Sequence, residues 1–484
     1  MSPTGTRGAT SGAHLRRVLW ALLIAHAALL VASLRQNFIW GEGRDVLGID
    51  LFVLLGIVEG GALLTYVVLG GGAYARLRSV GGADRPRLRS GALVLTAAAV
   101  LVPPFLSTDL YDNLARGRVE AAYGANPYVT PPAAFPDDPQ MEFAQWTEYG
   151  NPYGPASSLL QTAVSAVAGS QVALGAALFK LLAGLCHLAT AYCVYRAARA
   201  VHSGWAATAF YLYAWNPFAL LETAGSAHND AVMALGLGAM VWALAGGRMA
   251  AATFAFGMAV LVKHSCAVLG PLLLVLAWRQ RRLAAFAIGV LGVAAVTAAL
   301  AAHYFVEPPY RQVLAFAVPV GALEALFAQA AHQRTSLQYF LSLLLGADHG
   351  PLLTKIGYGL ATLALIAALP RVRDVESFGR AGVRVVMVFL LVGMPLFSPW
   401  YHLWWLPLLG VWPGAAPAVR LVGVVGPASY LVFASSQSYG FAHQLFAWGT
   451  GLVPVALLAL WPERAAAGGR LDGATRGDSG ASRH

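Results

Sequence analysis

Apolar stretches alternate with short polar breaks along almost the whole chain. Stretches such as 20–34, 51–69 and 283–302 are long enough to cross a hydrocarbon core of about 30 Å as helices. The pattern predicts helices near 18–35, 50–70, 91–106, 173–197, 205–221, 228–245, 249–262, 266–278, 283–303, 352–370, 383–397, 402–414, 419–436 and 443–461, some too short to cross alone. Two long polar segments, 107–152 and 304–351, interrupt the series, and 321–332 within the second is amphipathic and expected to lie on a membrane surface. No repeat of fixed period is visible. The expectation is an all-α polytopic membrane protein.

Composition strengthens this picture: of 484 residues 58% are hydrophobic and 11% charged, against about 25% charged in a soluble domain. A soluble enzyme is excluded. The net charge of +10 comes from 32 basic and 22 acidic residues, and only Lys180, Lys263 and Lys355 among the cations are lysines. Arginines cluster at Arg16 and Arg17, between Arg76 and Arg89, at Arg196 and Arg199, at Arg248, between Arg279 and Arg282, between Arg371 and Arg384, and at Arg420. Positive residues beside spans are retained in the cytoplasm, so these clusters mark the inner side and leave 107–152 and 304–351 outside. The excess charge sets topology and is not a nucleic-acid footprint. Segment 153–169 is read as re-entrant or interfacial, because a crossing there would carry Arg196, Arg199 and His202 outside. Residues 1–17 form a cytoplasmic lead into a signal anchor, 18–463 the membrane domain, and 464–484 a disordered cytoplasmic tail. Cys186, Cys193 and Cys266 lie in apolar segments and read as small hydrophobes.

Candidate chemistry collects at the outer breaks. Asp109, in the run STDLYDNLARGRV beginning at Ser107, is an acid at the outer end of a span; it either acts as a general base or caps a helix starting near Leu110. Glu222, His228 and Asp230 fall at another outer break. They suit hydrogen bonding to sugar hydroxyls, a divalent cation being a second use of such a set and helix capping a third use for Asp230. Lys263 sits at the apex of two short apolar segments and Lys180 about two turns inside a span. Each either pairs with a lipid phosphate or snorkels to the interface, and Lys355 near a helix end reads as a snorkeller. The aromatics around Trp400 and Tyr401 form an interfacial belt or a stacking surface for a sugar ring or isoprenoid. Asn216-Pro217 is expected to kink its helix.

The order of several short motifs narrows the choice. Asp109-Leu-Tyr, Gly117-Arg118, Gly124-Ala-Asn126-Pro-Tyr128 and Tyr153-Gly-Pro come first, followed by Trp215-Asn-Pro-Phe, Glu222, His228-Asn-Asp230, Leu261-Val-Lys263-His and Pro399-Trp400-Tyr401. From about residue 90 to 410 this series resembles the GT-C glycosyltransferases that take sugar from a polyprenyl phosphate, in particular the bacterial polyprenyl-phosphomannose-dependent α-mannosyltransferases. The chain departs from that pattern at Asn113, where an aromatic residue is common, and Asp112 inherits no role. The resemblance implies a GT-C fold of about 12–14 transmembrane helices, with Asp109 as catalytic base in a long first outer loop. It implies substrate contacts from Lys263, Lys180, Arg118, Glu222, His228, Asp230, Asn126, Tyr128, Trp400 and Tyr401. It further implies transfer of a hexose, mannose foremost, with inversion, to a cell-envelope glycan or glycolipid on the outer face of a bacterial-type plasma membrane. No cofactor is required, a divalent cation being the only one the residues suit. The reading from another class is a transporter or flippase, which predicts an internal symmetry between halves that this sequence lacks.

Overall fold

A computed structural model describes residues 4–37, 51–305, 336–394, 397–431 and 445–460, apart from Arg78, Phe105, Ala347 and Asp348. The amphipathic stretch 321–332, most of the second outer segment and the tail 464–484 lie outside the described residues. Among the described residues the chain is entirely helical, with no strand. In chain order the elements are α1 (Thr4–Asn37), α2 (Leu51–Thr65), a π turn (Tyr66–Gly71) leading into α3 (Gly72–Arg76), α4 (Arg85–Leu101) and α5 (Asp109–Tyr123). After the loop come α6 (Pro155–Ala168), α7 (Val172–Val201), α8 (Ala206–Ala214), α9 (Pro217–Leu220) with a π turn (Leu221–Gly225), α10 (Asp230–Ala245), α11 (Met249–Val262), α12 (Gly270–Arg279) and α13 (Leu283–Phe305). The last elements are α14 (Leu337–Leu345), α15 (Gly350–Ala368), α16 (Val375–Val388), α17 (Ala416–Ala428) and α18 (Val453–Leu460).

Five described stretches are long and apolar enough to cross a membrane: Gly12–Ser33, Ile57–Arg76, Val172–Val201, Leu283–Tyr304 and Gly350–Arg371. Other apolar helices are shorter. At 1.5 Å per residue α10, with 16 residues, is about 24 Å long, and α11, with 14 residues, about 21 Å, both less than a hydrocarbon core of about 30 Å. α7, with 30 residues, extends about 45 Å. α7, α10 and α11 pack side by side and form the frame of the molecule. The expected boundaries of α11 agree with the structure to the residue.

One expectation is corrected. Segment 402–414 is not a continuous helix but short 3-10 turns, Pro399–Trp404, Leu406–Gly410 and Pro413–Ala415. Pro407 and Pro413 have no N–H to donate and their rings clash with the preceding turn, so an α-helix cannot run through them. The segment is instead packed in the core, with His402, Leu403, Trp404 and Trp405 all fully buried. The predicted helix at 205–221 is divided at Asn216, as expected from Asn216-Pro217. Asn216 Oδ1 accepts the N–H groups of Phe218 and Ala219, and its Nδ2 donates to the Val419 carbonyl. The carbonyls exposed at the break are taken up locally: His187 bonds Ala214 O and Tyr66 donates to Pro217 O. The kink is structural.

The arginine clusters collect at one end. Arg282 donates to the Gly247 carbonyl, Arg279 to Pro370 O, His202 pairs with Glu376, and the Val80 N–H donates to Thr208. The site residues lie at the other end. Segment 153–169 contains the 14-residue α6, about 21 Å long and too short to cross, packed on α5.

Candidate active site

Helix α5 places Asp109, Asp112, Asn113 and Arg116 at i, i+3, i+4 and i+7, which is one face of a helix. Asp112, Asn113 and Arg116 are buried, and Asp109 retains 17% side-chain exposure at the start of the helix. Capping is not the role of Asp109. The cap position of α5 is Thr108, Asp109 is the first residue inside the helix, no side-chain cap bond is formed, and the Asp109 N–H goes to Ser107 Oγ. Its carboxylate is left to reach His228, whose Nδ1 lies 3.2 Å from Asp109 Oδ2.

His228 follows the π turn Leu221–Gly225, and Ala227 before it adopts a left-handed backbone with φ 54°. That conformation costs a residue with a Cβ about 1 kcal/mol or more, and such strain concentrates at functional turns. Bonds from Ser226 N to Leu221 O, Ala227 N to Thr223 O and His228 N to Glu222 O hold the turn. The imidazole is thereby set between two carboxylates, with Nε2 3.2 Å from Glu222 Oε2, and is stacked on Trp400 at 4.0 Å between ring centroids. The Nε2–Glu222 approach is an ion-pair distance without hydrogen-bond geometry, and the two carboxylates together favour the charged ring over the neutral one. Glu222 is fully buried, which leaves Asp109 as the accessible member of the trio.

Beside it stands a second group. Lys263 Nζ donates to Asp230 Oδ2 at 2.8 Å, and Trp404 Nε1 donates to Asp230 Oδ1 at 2.6 Å. The ammonium lies over the rings of Tyr401, Tyr153 and Trp404 at 5.1, 5.5 and 5.8 Å, an aromatic cage that favours a desolvated cation. The snorkelling alternative does not hold for Lys263, which is buried. Tyr153 joins the two groups, because Arg116 lies over the same ring at 5.6 Å. Arg116 Nε has no hydrogen-bond partner. Burial pushes the Asp109 carboxyl up, but the His228 hydrogen bond and charge, with Lys263 and Arg116 nearby, outweigh it and hold the group below the usual carboxylate range. Asp109 is therefore an ionised acceptor at neutral pH.

Other residues support the site without entering it. Asp112 accepts the Gln145 and Trp146 N–H groups, both at 2.8 Å, and so pins the outer loop. Burial, the largest influence, takes its carboxyl up to about 6. Arg118 pairs with Asp138 at 2.7 Å, and Tyr123 donates to the same carboxylate oxygen. Asn126 closes its own turn by accepting the Tyr128 N–H and donates to the Tyr304 carbonyl, while Tyr128 donates to Tyr153 O at 3.0 Å. Arg118, Asn126 and Tyr128 thus hold the loop's shape. Lys180 is placed apart from the Asp109 group. Buried in α7, it donates to the carbonyls of Ala99, Val102 and Gly225, which fills all three N–H positions of an ammonium.

Behind His228 lies a small cavity of about 20 Å3, in which Asn113, Ser157, Gln161 and Asn229 face an apolar wall that includes Phe179 and Val262. Among the described residues no group of three or more His, Cys, Asp or Glu side chains is placed to hold a metal ion. His228 and Asp230 are committed instead to Asp109, Glu222, Lys263 and Trp404. Sequence reasoning missed Arg116, Tyr153, Trp404 and Gln161. The i+7 spacing of Arg116 from Asp109 was a usable signal, whereas Trp404 and Gln161 meet the site only through packing.

An all-helical chain with apolar spans, and a carboxylate, buried cations, amides and ring faces converging at one end, has the makings of a membrane-bound glycosyltransferase. The model of the family described as "Alpha-(1->6)-mannopyranosyltransferase, N-terminal domain" matches residues 18–280, more than half of the chain, and the chain belongs to that family. It is a mannosyltransferase. The Alpha-(1->6)-mannopyranosyltransferase A of Mycobacterium tuberculosis is 26% identical over 464 residues, spanning 88% of this chain and 85% of the relative. The protein of the same name from Corynebacterium glutamicum is 27% identical over 149 residues, 30% of each chain. No solved structure gives a significant match.

Proposed function

We propose that the protein is a GT-C enzyme that transfers mannose from a polyprenyl phosphate to a primary 6-hydroxyl of a mannose-bearing glycan or glycolipid, forming an α-(1→6) bond on the outer face of the plasma membrane. The regiochemistry follows the names of its relatives. The observation that carries the reading is Asp109, an accessible carboxylate kept ionised by His228 beside two buried cations.

A lipid phosphate is already a leaving group. The protein must accept the acceptor's proton, align the attack and stabilise charge developing on the departing phosphate. Asp109 accepts the proton as the hydroxyl oxygen attacks the anomeric carbon. The bond to the phosphate oxygen breaks on the opposite face, so a β-linked donor gives an α-linked product. Arg116 and Lys263 supply positive charge for the phosphate, with Arg116 Nε free to donate to it. Asn113, Gln161 and Asn229 offer amides toward the sugar's hydroxyls.

The test is to incubate purified protein with polyprenyl-phosphate mannose and a panel of mannose-terminated acceptors, then assign the product linkage by mass spectrometry and NMR. An α-(1→6) product from the lipid donor supports the reading. Transfer from a nucleotide sugar but not from the lipid would overturn it.

A further inference from the structure

The end of the molecule opposite Asp109 carries a second, open cavity of about 490 Å3, lined by Arg196, Arg199, Ala200, Trp242, Gly246 and Arg248. We propose that it binds the phosphate headgroup of an anionic phospholipid. The positive-inside rule accounts for the presence of arginines at this end. It does not account for three of them converging on one cavity.

The first argument is uncompensated charge. Among the described residues none of the three arginines forms an ion pair with a carboxylate. Two guanidinium groups instead share one indole: Arg196 lies over the Trp242 ring at 4.9 Å and Arg248 at 5.1 Å. Arg196 also lies over Tyr192 at 5.5 Å and donates to its hydroxyl at 2.6 Å. A guanidinium laid on an aromatic face is oriented in advance and still presents in-plane N–H groups, the arrangement that takes phosphate oxygens in pairs. Bringing like charges together around a ring costs energy that a bound anion recovers.

The second argument is depth. α7 is about 45 Å long, so where its outer part crosses a core of about 30 Å, its last turns project to the headgroup level. Arg196 and Arg199 lie on those turns. The third argument separates a lipid from a soluble anion. Leu181, Leu185 and Tyr192 are exposed on α7 and, at spacings of 4 and 7 residues, lie on the face that continues into Arg196. An acyl chain fits along that apolar strip while its phosphate enters the cavity. A soluble phosphate would use only the lower half of the arrangement.

The experiment takes delipidated full-length protein in neutral detergent and titrates it with phosphatidic acid, phosphatidylglycerol and phosphatidylcholine of identical acyl chains, reading bound lipid by native mass spectrometry. Inorganic phosphate and glycerol 3-phosphate serve as soluble competitors. Both anionic lipids should bind in preference to phosphatidylcholine and resist the soluble anions. Each arginine near a membrane surface contributes about fivefold in affinity, so the triple variant R196Q/R199Q/R248Q should lose about a hundredfold. The matching triple lysine variant keeps the charge but loses the stacked in-plane fork, so it should recover only part of the binding, and Arg89→Gln, an exposed cation on α4 outside the cavity, should change nothing. Should the triple glutamine variant not fold, Arg248→Gln alone decides, with about a fivefold loss expected. Equal binding of phosphatidylcholine, undiminished binding by the glutamine variants, or displacement by glycerol 3-phosphate at concentrations matching the lipid would overturn the proposal.

Discussion

The proposed role of Asp109 depends on what surrounds it. Asp109→Asn is nearly isosteric yet cannot take a proton, so turnover should fall about 10²–10⁴-fold with insertion and folding intact; activity equal to wild type would remove the base assignment. His228 is expected to act through Asp109 rather than on substrate. In His228→Asn the amide can still donate, but the positive charge is gone. Burial is then opposed mainly by the weaker effects of Lys263 and Arg116, the Asp109 carboxyl rises, and the acidic limb of the kcat/KM profile should move to higher pH. A lower rate with the limb unmoved would mean that His228 only shapes the turn.

At the scale of elements, the two buried lysines separate cleanly. Lys180 ties the end of α4 and the Gly225 carbonyl to α7, so Lys180→Met leaves buried carbonyls unsatisfied at about 1–3 kcal/mol each. Its thermal midpoint should drop while the donor KM of the surviving protein stays near wild type. Lys263→Met should do the reverse, weakening donor binding and slowing release of the lipid phosphate, and a donor titration of both variants distinguishes them. The break after α11 is equally sensitive. Gly154 donates its N–H to the Val262 carbonyl at 3.0 Å, and a Cβ at Gly154 would fall 2.0 Å from the Leu261 carbonyl oxygen. Because that neighbour is backbone, Gly154→Ala must shift Tyr153 or the Lys263 apex, and a loss of about 1–3 kcal/mol in stability together with reduced turnover is expected from denaturation and rate measurements.

For the whole molecule, the arginine clusters meet at one end and Asp109, His228 and Lys263 at the other, which is the arrangement that positive-inside sorting and an outward site require. A single cysteine placed at Asp137 should label from outside in sealed cells, and one at Arg279 should not. The opposite pattern would invert the scheme and put the proposed outer site inside.

The division between sequence and structure follows from the range of each interaction. Hydrophobic length and arginine placement are properties of contiguous residues, and they were enough for an all-helical, polytopic membrane protein, for the bounds of α11 and for the kink at Asn216-Pro217. The order of the short motifs was enough to point to a mannosyltransferase. Partnership across the fold was not legible. Lys180 and Lys263 look alike along the chain, each a lone cation among apolar residues. Only packing sets one against three backbone carbonyls and the other in an aromatic cage beside Asp230. Asp109 as a cap and Asp109 as a base are the same to the sequence, and the start of α5 at Asp109, with Thr108 in the cap position, removed the capping role. Arg116, Tyr153 and Trp404 joined the site because α5, the loop before α6 and the 3-10 turns after Pro399 converge there, over separations in sequence that no local pattern encodes.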